Sequence, residues 1–317
     1  METKGTISIE GFNLGFSMEG EGILERTQSD AGRTRDVFQA SRLLDQGRIR
    51  VMNQIPVGVQ KILHAYFEWF ERELPNLLEA FHVYGSISIG AFQEGASDID
   101  FIAVIKRKWT EEESIRIKKL HKSIHRAFPS ASLDGFYITK ESMEGLKQKA
   151  QPCFSFRDGN YQGEEVFHQH SIDAYQLVTY GITVKGSDPR TYGLSIDWEL
   201  LHQFLRGNLD SYWVNWVRRC ERFPSLHFVG MYMSPKMIEW GVLGISRLFY
   251  SFREKDIASK LGAGEYACSH APEKWNTILK EAMRVRRGES TSYYTSPITR
   301  RNDALGYMKE MIQICKN

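Results

Sequence analysis

Two aspartates separated by one apolar residue are the side chains of this chain with the clearest chemical potential. Asp98 and Asp100 follow the dipeptide Gly85-Ser86 after eleven intervening residues. Residues two apart on a β-strand point to the same face, so both carboxylates can bind Mg²⁺, which prefers carboxylate and phosphate oxygens. Gly85 lets the backbone approach a polyphosphate closely, and Ser86 offers a hydroxyl and an N–H at an expected helix start. The pattern predicts metal-dependent chemistry on a polyphosphate.

The residues around this pattern are typical of a rigid support. A lone Asp-x-Asp is most often a strand with two solvated aspartates. Here an apolar strand ends in Gly-Ser, and apolar residues flank the aspartates: Val83, Ile99, Phe101, Ile102, Ala103 and Val104. Because the strand, the turn, the spacing and the flanks agree, we interpret the segment as the active site of a nucleotidyltransferase.

The same segment resembles a known superfamily. Residues 83–104 resemble the polymerase-β-type nucleotidyltransferases. From about residue 56 onward, the chain resembles the streptomycin 3″/spectinomycin 9-adenylyltransferase branch of that superfamily. The segments that carry this second resemblance are 180–189, 244–250, 257–260, 264–267, Trp275 and 282–286. The resemblance implies AMP transfer from ATP to a hydroxyl of a small molecule, with Mg²⁺ as cofactor and an aminocyclitol or aminoglycoside antibiotic as a candidate acceptor.

Nucleotidyl transfer assigns roles to the motif residues. A substrate hydroxyl attacks the α-phosphorus of a nucleoside triphosphate and expels pyrophosphate, so the site must align the attack and neutralise the phosphates. We expect Asp98 and Asp100 to bind two metal ions that bracket the reacting phosphate. We expect Gly85, Ser86 and Ser97 to hold the β- and γ-phosphates.

A third carboxylate and two cations complete the predicted site. Asp134 lies on the next predicted strand, where the adenylyltransferases usually carry a glutamate that acts as general base. Its shorter side chain leaves the roles of base and third metal ligand both open, and an Asp-Gly hairpin turn is the structural alternative. The resemblance implies that Arg247 and Lys260 reach across a cleft to the triphosphate, where cations neutralise phosphate oxygens. A solvated helix face is the alternative for both.

Composition narrows the functional classes. The chain has 317 residues, which is long enough for two domains. Its formal net charge of +2 argues against an RNA substrate. No apolar run reaches the length of a membrane span, and the first ten residues lack the pattern of a secretory signal. The four cysteines form no Cys-x-x-Cys pair, so we expect reduced thiols and a cytoplasmic location. The oligomeric state stays open.

Hydrophobic periodicity predicts an α+β fold of the α/β type. We expect a small mixed-sheet nucleotidyltransferase domain over 56–165 and a helical C-terminal domain over 166–317. Residues 1–55 form an N-terminal extension without an assigned role, with short strands expected at 6–9 and 12–16. In the first domain we predict helices over 57–81, bent or divided at Pro75, and 111–128, capped by Thr110, and strands at 81–84, 98–105 and 133–138.

The sequence from residue 151 onward predicts a loop followed by helices. Pro152, Gly159 and Gly163, among many polar residues, predict a loop over 151–165. Beyond it, apolar spacing predicts helices over 198–223, 235–252, 259–269, 272–287 and 297–316. Residues 230–234 are predicted to be irregular.

The predicted acceptor region lacks negative charge. Antibiotic-modifying members place an acidic group just before the helix that starts near residue 235, whereas here no carboxylate occurs between Gly230 and Ile238. Acidic residues could still come from Glu164, Glu165 or Asp173, or from the N-terminal extension. We therefore expect weak or absent transfer to streptomycin and a less cationic acceptor, such as spectinomycin or an unrelated metabolite. A regulatory or binding module and a protein-nucleotidylating enzyme are the functional alternatives.

Overall fold

A computed structural model describes residues 54–130 and 132–316. The predicted N-terminal extension, including both of its expected strands, lies outside the described residues except for positions 54 and 55. In the described part of the chain, no helix is long and apolar enough to cross a membrane.

The first helix, α1 (Val57–Glu73), ends before Pro75. Proline has no backbone N–H and clashes with the preceding turn, so the predicted continuation to residue 81 is wrong. The apolar spacing misled because Leu77 and Leu78 are buried in the same core as α1 while belonging to the turn and the following strand.

Within residues 54–130 and 132–316, six strands form one mixed sheet in the order β5-β4-β3-β2-β1-β6. The strands are β1 (Leu78–Val83), β2 (Ile99–Ile105), β3 (Leu133–Thr139), β4 (Gln151–Arg157), β5 (Asn160–Phe167) and β6 (Ile182–Lys185). The pair β2–β3 is parallel, and the other four pairs are antiparallel. A single helical turn, α2 (Gly85–Ser88), follows β1. The predicted α+β class with a mixed sheet is confirmed.

The segment 151–165, predicted to be a loop, is instead the hairpin β4–β5. Its two-residue turn is Asp158-Gly159, with φ angles of +48° and +69°. Asp-Gly is a strong signal for this kind of hairpin turn, because both positions need positive φ. The sheet then gains β6 and so continues past the boundary predicted at residue 165.

Helices cover both faces of the sheet. The helix α3 (Glu111–Ala127) begins with the predicted Thr110 cap, completed by Glu113 into a reciprocal capping box. Together with α1 it buries one face, while α4 (Lys140–Gly145) and α5 (Ile172–Tyr180) contribute to the core on the other. We refer to residues 57–185 as the sheet region.

Residues 198–316 are predominantly helical and are called the helical region here. Its helices are α6 (Trp198–Asn208), α7 (Val214–Glu221), α8 (Leu226–Met233), α9 (Pro235–Glu254), α10 (Lys260–His270), α11 (Asn276–Arg287) and α12 (Pro297–Lys316). The predicted helices are present, although the one over 198–223 changes to a π-helical turn at Leu209–Trp213. The irregular segment predicted at 230–234 is mostly the last part of α8. The helix α9 contributes to the core of this region and contacts α10, α11 and α12.

Candidate active site

The two predicted metal-binding carboxylates lie at the start of β2. Asp98 immediately precedes the strand and is exposed, whereas Asp100 is its second residue and is partly buried. Gly85, at the beginning of α2, has a φ angle of +64°, and a Cβ there would lie 1.9 Å from Asp100 Oδ2. Glycine is therefore required at position 85 for two reasons, its backbone conformation and the space that the Asp100 carboxylate occupies.

A cavity of about 560 Å³ lies between the sheet region and the helical region. Asp98 and Asp100 line it from the sheet, and Arg247 of α9 and Lys260 of α10 line it from the helices. Both cations therefore line the same cavity as Asp98 from the opposite side, and their contact with a triphosphate stays a prediction. Further lining residues with polar side chains or close backbone approach are Gly85, Ser86, Ser97, Asp173 and Arg286.

Carboxylates crowd the sheet side of this cavity. The pKa of Asp100 is raised to about 7, chiefly by burial and then by the charges of Asp173 and Asp98, while Arg247 opposes the shift. The pKa of Asp98 is also raised, first by burial and then by Asp134. Carboxylates that repel one another in a partly buried site gain most from a bound cation, which favours their charged forms.

Asp134 is brought next to this pair but faces other partners. It is aligned with Asp100 across the parallel strands β2 and β3. Its Oδ1 accepts hydrogen bonds from Ser132 Oγ at 2.5 Å and from the Asp158 N–H at 2.9 Å. Because Asp134 lies inside β3, the hairpin-turn alternative is wrong. Among the eight predicted site residues it is the one outside the cavity lining, so its catalytic role stays a prediction.

Asp173 is an acidic residue of the cavity that the sequence did not assign to the nucleotide site. It lies in the first turn of α5, whose N-cap Ser171 positions the start of the helix. Burial raises its pKa, while a hydrogen bond with Tyr84 and the charge of Arg247 lower it. Arg247 is partly buried, and this burial lowers its pKa, while the charges of Asp100 and Asp173 oppose that shift. No motif around Asp173 in the sequence indicated that this residue would lie near Arg247.

Arg286 of α11 is the second functional candidate without a predicted role. Its guanidinium donates to the Ala96 carbonyl at 2.8 Å and to Ser97 Oγ at 2.9 Å. It also lies 3.8 Å from Glu239 Oε1, which is 3.2 Å from Lys260 Nζ. These contacts tie the helical region to the residues just before Asp98. The segment 282–286 marked the family resemblance in sequence, but spacing alone does not show which of its arginines faces the cleft.

Unpaired donors in the cavity suit an anion. Ser86 Oγ is buried and has no hydrogen-bond partner among residues 54–130 and 132–316. The helix α10 begins at the cavity, where Ser259 caps it by accepting the Gly262 N–H at 2.9 Å. Helix N-termini and cationic side chains both favour phosphate groups. The hydroxyl, the helix start and the cations therefore converge on one polar space.

A second cavity of about 510 Å³ adjoins the first. The two share Ala96, Lys260 and Arg286 in their linings. The other residues that line the second cavity are aromatic, cationic, acidic or apolar. They are Tyr212, Trp216, Trp240, Arg219, Lys236, His227, Glu239, Met237 and Val285. A molecule in this second cavity would lie beside the end of the first.

Comparison with known proteins agrees with this architecture. Residues 237–311 match the family model described as aminoglycoside adenylyltransferase, C-terminal domain. The fold is similar to the crystal structure of the spectinomycin adenyltransferase AAD(9) from Enterococcus faecialis with ATP and spectinomycin, with a TM-score of 0.60 and 14% sequence identity over 80% of this chain and 99% of that chain. No curated protein sequence matches significantly. Both findings support the adenylyltransferase-like branch of the nucleotidyltransferases.

The carboxylate pair Asp98 and Asp100 fits a Mg²⁺ ion that also binds water and phosphate oxygens. It fits less well a metal ion that only protein side chains coordinate. Within the described residues, no group of three or more His, Cys, Asp or Glu side chains is arranged to hold a metal ion. Mg²⁺ is usually bound by one or two carboxylates together with water and substrate phosphates. Asp98 and Asp100 supply such a pair, and the donors opposite them suit the phosphates that would complete the coordination.

Proposed function

We propose that this chain is a Mg²⁺-dependent adenylyltransferase that moves AMP from ATP to a hydroxyl of a small molecule. The observation that carries the proposal is the opposition of charges across the first cavity, with Asp98 and Asp100 on one side and Arg247 and Lys260 on the other. Mg²⁺ and a triphosphate together match both sides. The family match and the fold likeness support adenylyl transfer among the possible chemistries.

Each residue has a defined task in this proposal. Asp98 and Asp100 hold Mg²⁺, which neutralises charge at the reacting phosphate when bound. Arg247 and Lys260 bind the β- and γ-phosphates and stabilise the charge that develops on departing pyrophosphate. The free hydroxyl of Ser86 and the backbone at Gly85 hold the same phosphates from the sheet side.

The acceptor and its proton define the remaining half of the reaction. The acceptor oxygen bonds to the α-phosphorus, the bond to the bridging oxygen breaks, and pyrophosphate leaves. Burial raises the pKa of Asp134, which makes its carboxylate a better base for the hydroxyl proton; a third metal contact is its other role. The acceptor occupies the second cavity. Because the similar structure contains spectinomycin, aminocyclitol antibiotics are the first acceptors to test. The use of ATP as donor fits an enzyme of the cytoplasm.

The test combines nucleotide binding with product formation. The protein is incubated with Mg²⁺, α-labelled ATP and a panel that includes spectinomycin, streptomycin and neutral and acidic hydroxylated compounds. Pyrophosphate release and a labelled acceptor are expected, and in Asp98→Asn both should fall on the order of 10³-fold. Tight binding of ATP with no transfer to any acceptor would favour the regulatory alternative. Failure to bind Mg²⁺-ATP would overturn the proposal altogether.

A further inference from the structure

The second cavity has an excess of positive charge. Arg219 and Lys236 line it together with Lys260 and Arg286, and Glu239 is the single carboxylate among the described residues that line it. That carboxylate already lies within ion-pair distance of Lys260 and Arg286, and its side chain is only 10% exposed. Glu239 therefore offers little free negative charge to an incoming cation.

Two of these cations lack a partner. In the described residues, neither Arg219 nor Lys236 forms an ion pair, and both are exposed. Arg219 also lines an adjoining recess of about 310 Å³ together with Arg218 and Arg222. A group of unpaired guanidinium and ammonium groups at the edge of a cavity attracts anions and repels cations.

The apolar wall of the cavity is aromatic. The ring centroid of Trp240 lies 5.1 Å from that of Trp216 and 5.9 Å from that of Tyr212. Such faces stack on flat rings, and they also attract cations. The rings alone would therefore suit an ammonium group as well as a planar ring, and the surrounding cations decide between the two.

We infer that the acceptor is a hydroxylated molecule that combines a flat ring with an acidic group, a carboxylate or a phosphate. This inference rests on the proposed adenylyl transfer and names the class of its acceptor. The ring packs on Tyr212 and Trp240, and the acidic group pairs with Arg219 and Lys236. The acceptor hydroxyl then faces the shared boundary at Lys260 and Arg286, where its oxygen bonds to the α-phosphorus, its proton passes to the base of the proposed transfer, Asp134, and pyrophosphate leaves.

A matched pair of aryl sugars tests this assignment without requiring turnover. 4-Nitrophenyl β-glucuronide and 4-nitrophenyl β-glucoside share the ring and the sugar, and they differ by a carboxylate in place of a hydroxymethyl group. Binding is measured by calorimetry with the first cavity saturated with Mg²⁺ and α,β-methylene-ATP. We expect the glucuronide to bind about 10-fold more tightly, the effect of one new ion pair of roughly 1.4 kcal/mol. 4-Nitrophenyl phosphate, which carries the same ring, tests whether a phosphate can supply the negative charge in place of the carboxylate.

Charge removal locates the effect. In the double variant Arg219→Gln/Lys236→Gln the preference for the glucuronide should fall to within about 2-fold, because the ion pair is lost. Lys122→Gln, which removes an exposed charge from α3 in the sheet region, should keep the preference. Higher salt should weaken the preference of the unaltered protein, since exposed charges are screened.

The outcomes separate this inference from the proposed function. Equal affinity for the two sugars, no binding of either, or tighter binding of spectinomycin than of the acidic compounds would overturn the inference. Adenylylation of spectinomycin in those cases would leave the proposed function intact. If the ATP analogue itself does not bind, the proposed function fails, and the preference between the sugars is then measured without nucleotide.

Discussion

The sheet region and the helical region contribute opposite charges to the space between them. Asp98, Asp100 and Asp173 line the first cavity from the sheet side, and Arg247 and Lys260 line it from the helices. Neither region alone holds a complete site. A bound metal with a triphosphate satisfies both at once, because the metal matches the carboxylates and the phosphates match the cations.

The two regions also differ in how they hold their charged groups. The carboxylates are set by strand alternation and by the space at Gly85, which are local features. The cations are set by contacts between regions, such as those of Arg286. The two regions are also linked at Asp256, whose Oδ1 accepts hydrogen bonds from the hydroxyls of Tyr175 at 2.8 Å and Tyr180 at 2.6 Å. We therefore expect changes on the sheet side to abolish chemistry and changes on the helix side to weaken nucleotide binding.

The largest effect should come from Asp98→Asn. Loss of one carboxylate weakens metal binding at the reacting phosphate, and kcat/KM should fall on the order of 10³-fold, about 4 kcal/mol. Pyrophosphate release measures the change. Asp98 is exposed, so the melting temperature should stay close to that of the unaltered protein. Asp188→Asn, which alters an exposed aspartate paired with Arg190, is the control, and ordinary turnover in the Asp98 variant would remove the central claim.

Gly85→Ala should have a smaller effect through the position of Asp100. The new Cβ would collide with the Asp100 carboxylate, so the carboxylate must move, and we expect kcat/KM to fall roughly 100-fold. Gly95→Ala is a matched control, because Gly95 also has a positive φ of +73°, nothing lies within 4 Å of its Cβ, and it does not line the first cavity. Both variants carry the backbone strain, and the Gly85 variant alone should lose activity beyond it. Equal activity in the two would show that Asp100 tolerates displacement.

Arg286→Gln tests the helix side. It removes a charge from the cavity and the bonds to Ala96 and Ser97, so the dissociation constant for Mg²⁺-ATP should rise about 10-fold. Arg287→Gln is the control, since that neighbour is exposed and pairs with Glu265 instead. Calorimetry measures the affinity. An unchanged dissociation constant for the Arg286 variant would limit this residue to joining the two regions.

The smallest expected effect concerns the acid sensitivity of the sheet region. Burial lowers the pKa of His121 to about 3 and that of His82 to about 4. Below the unfolded value near 6.5, the unfolded chain takes up protons that the folded chain does not, so the free energy of unfolding falls as pH drops from 6.5 toward these values. His121→Gln should remove on the order of 1–2 kcal/mol of that loss between pH 6.5 and 5.

Urea unfolding at the two pH values measures this difference. His64→Gln, a change at an exposed position of α1, should leave the pH dependence as it is in the unaltered protein. If the His121 variant loses as much stability on acidification as the unaltered protein, burial of this histidine does not set the acid sensitivity of the fold.

Local patterns were enough to predict a large part of the fold and several of the residues that line the first cavity. The Thr110 cap, the strand that carries Asp100 and the helix that begins at Pro297 are confirmed. These features depend on neighbours within a few residues, such as a capping side chain or strand alternation. Where local signals were misread, as at Asp158-Gly159 and Pro75, the information was present in the sequence.

What only the tertiary structure decided are the contacts between segments that are far apart in the chain. Arg286 and Ser97 are 189 positions apart, and no periodicity shows that their side chains meet. The same holds for the pairing of Glu239 with Lys260 and for the aromatic wall of the second cavity. The sequence by itself determined that Asp98 and Asp100 lie together at the start of one strand and that Gly85-Ser86 follows another, because neighbouring residues set each arrangement. That the two segments meet depends on the antiparallel pairing of β1 with β2. Which cations and rings face them depends on how the helices pack, which is a property of the whole fold.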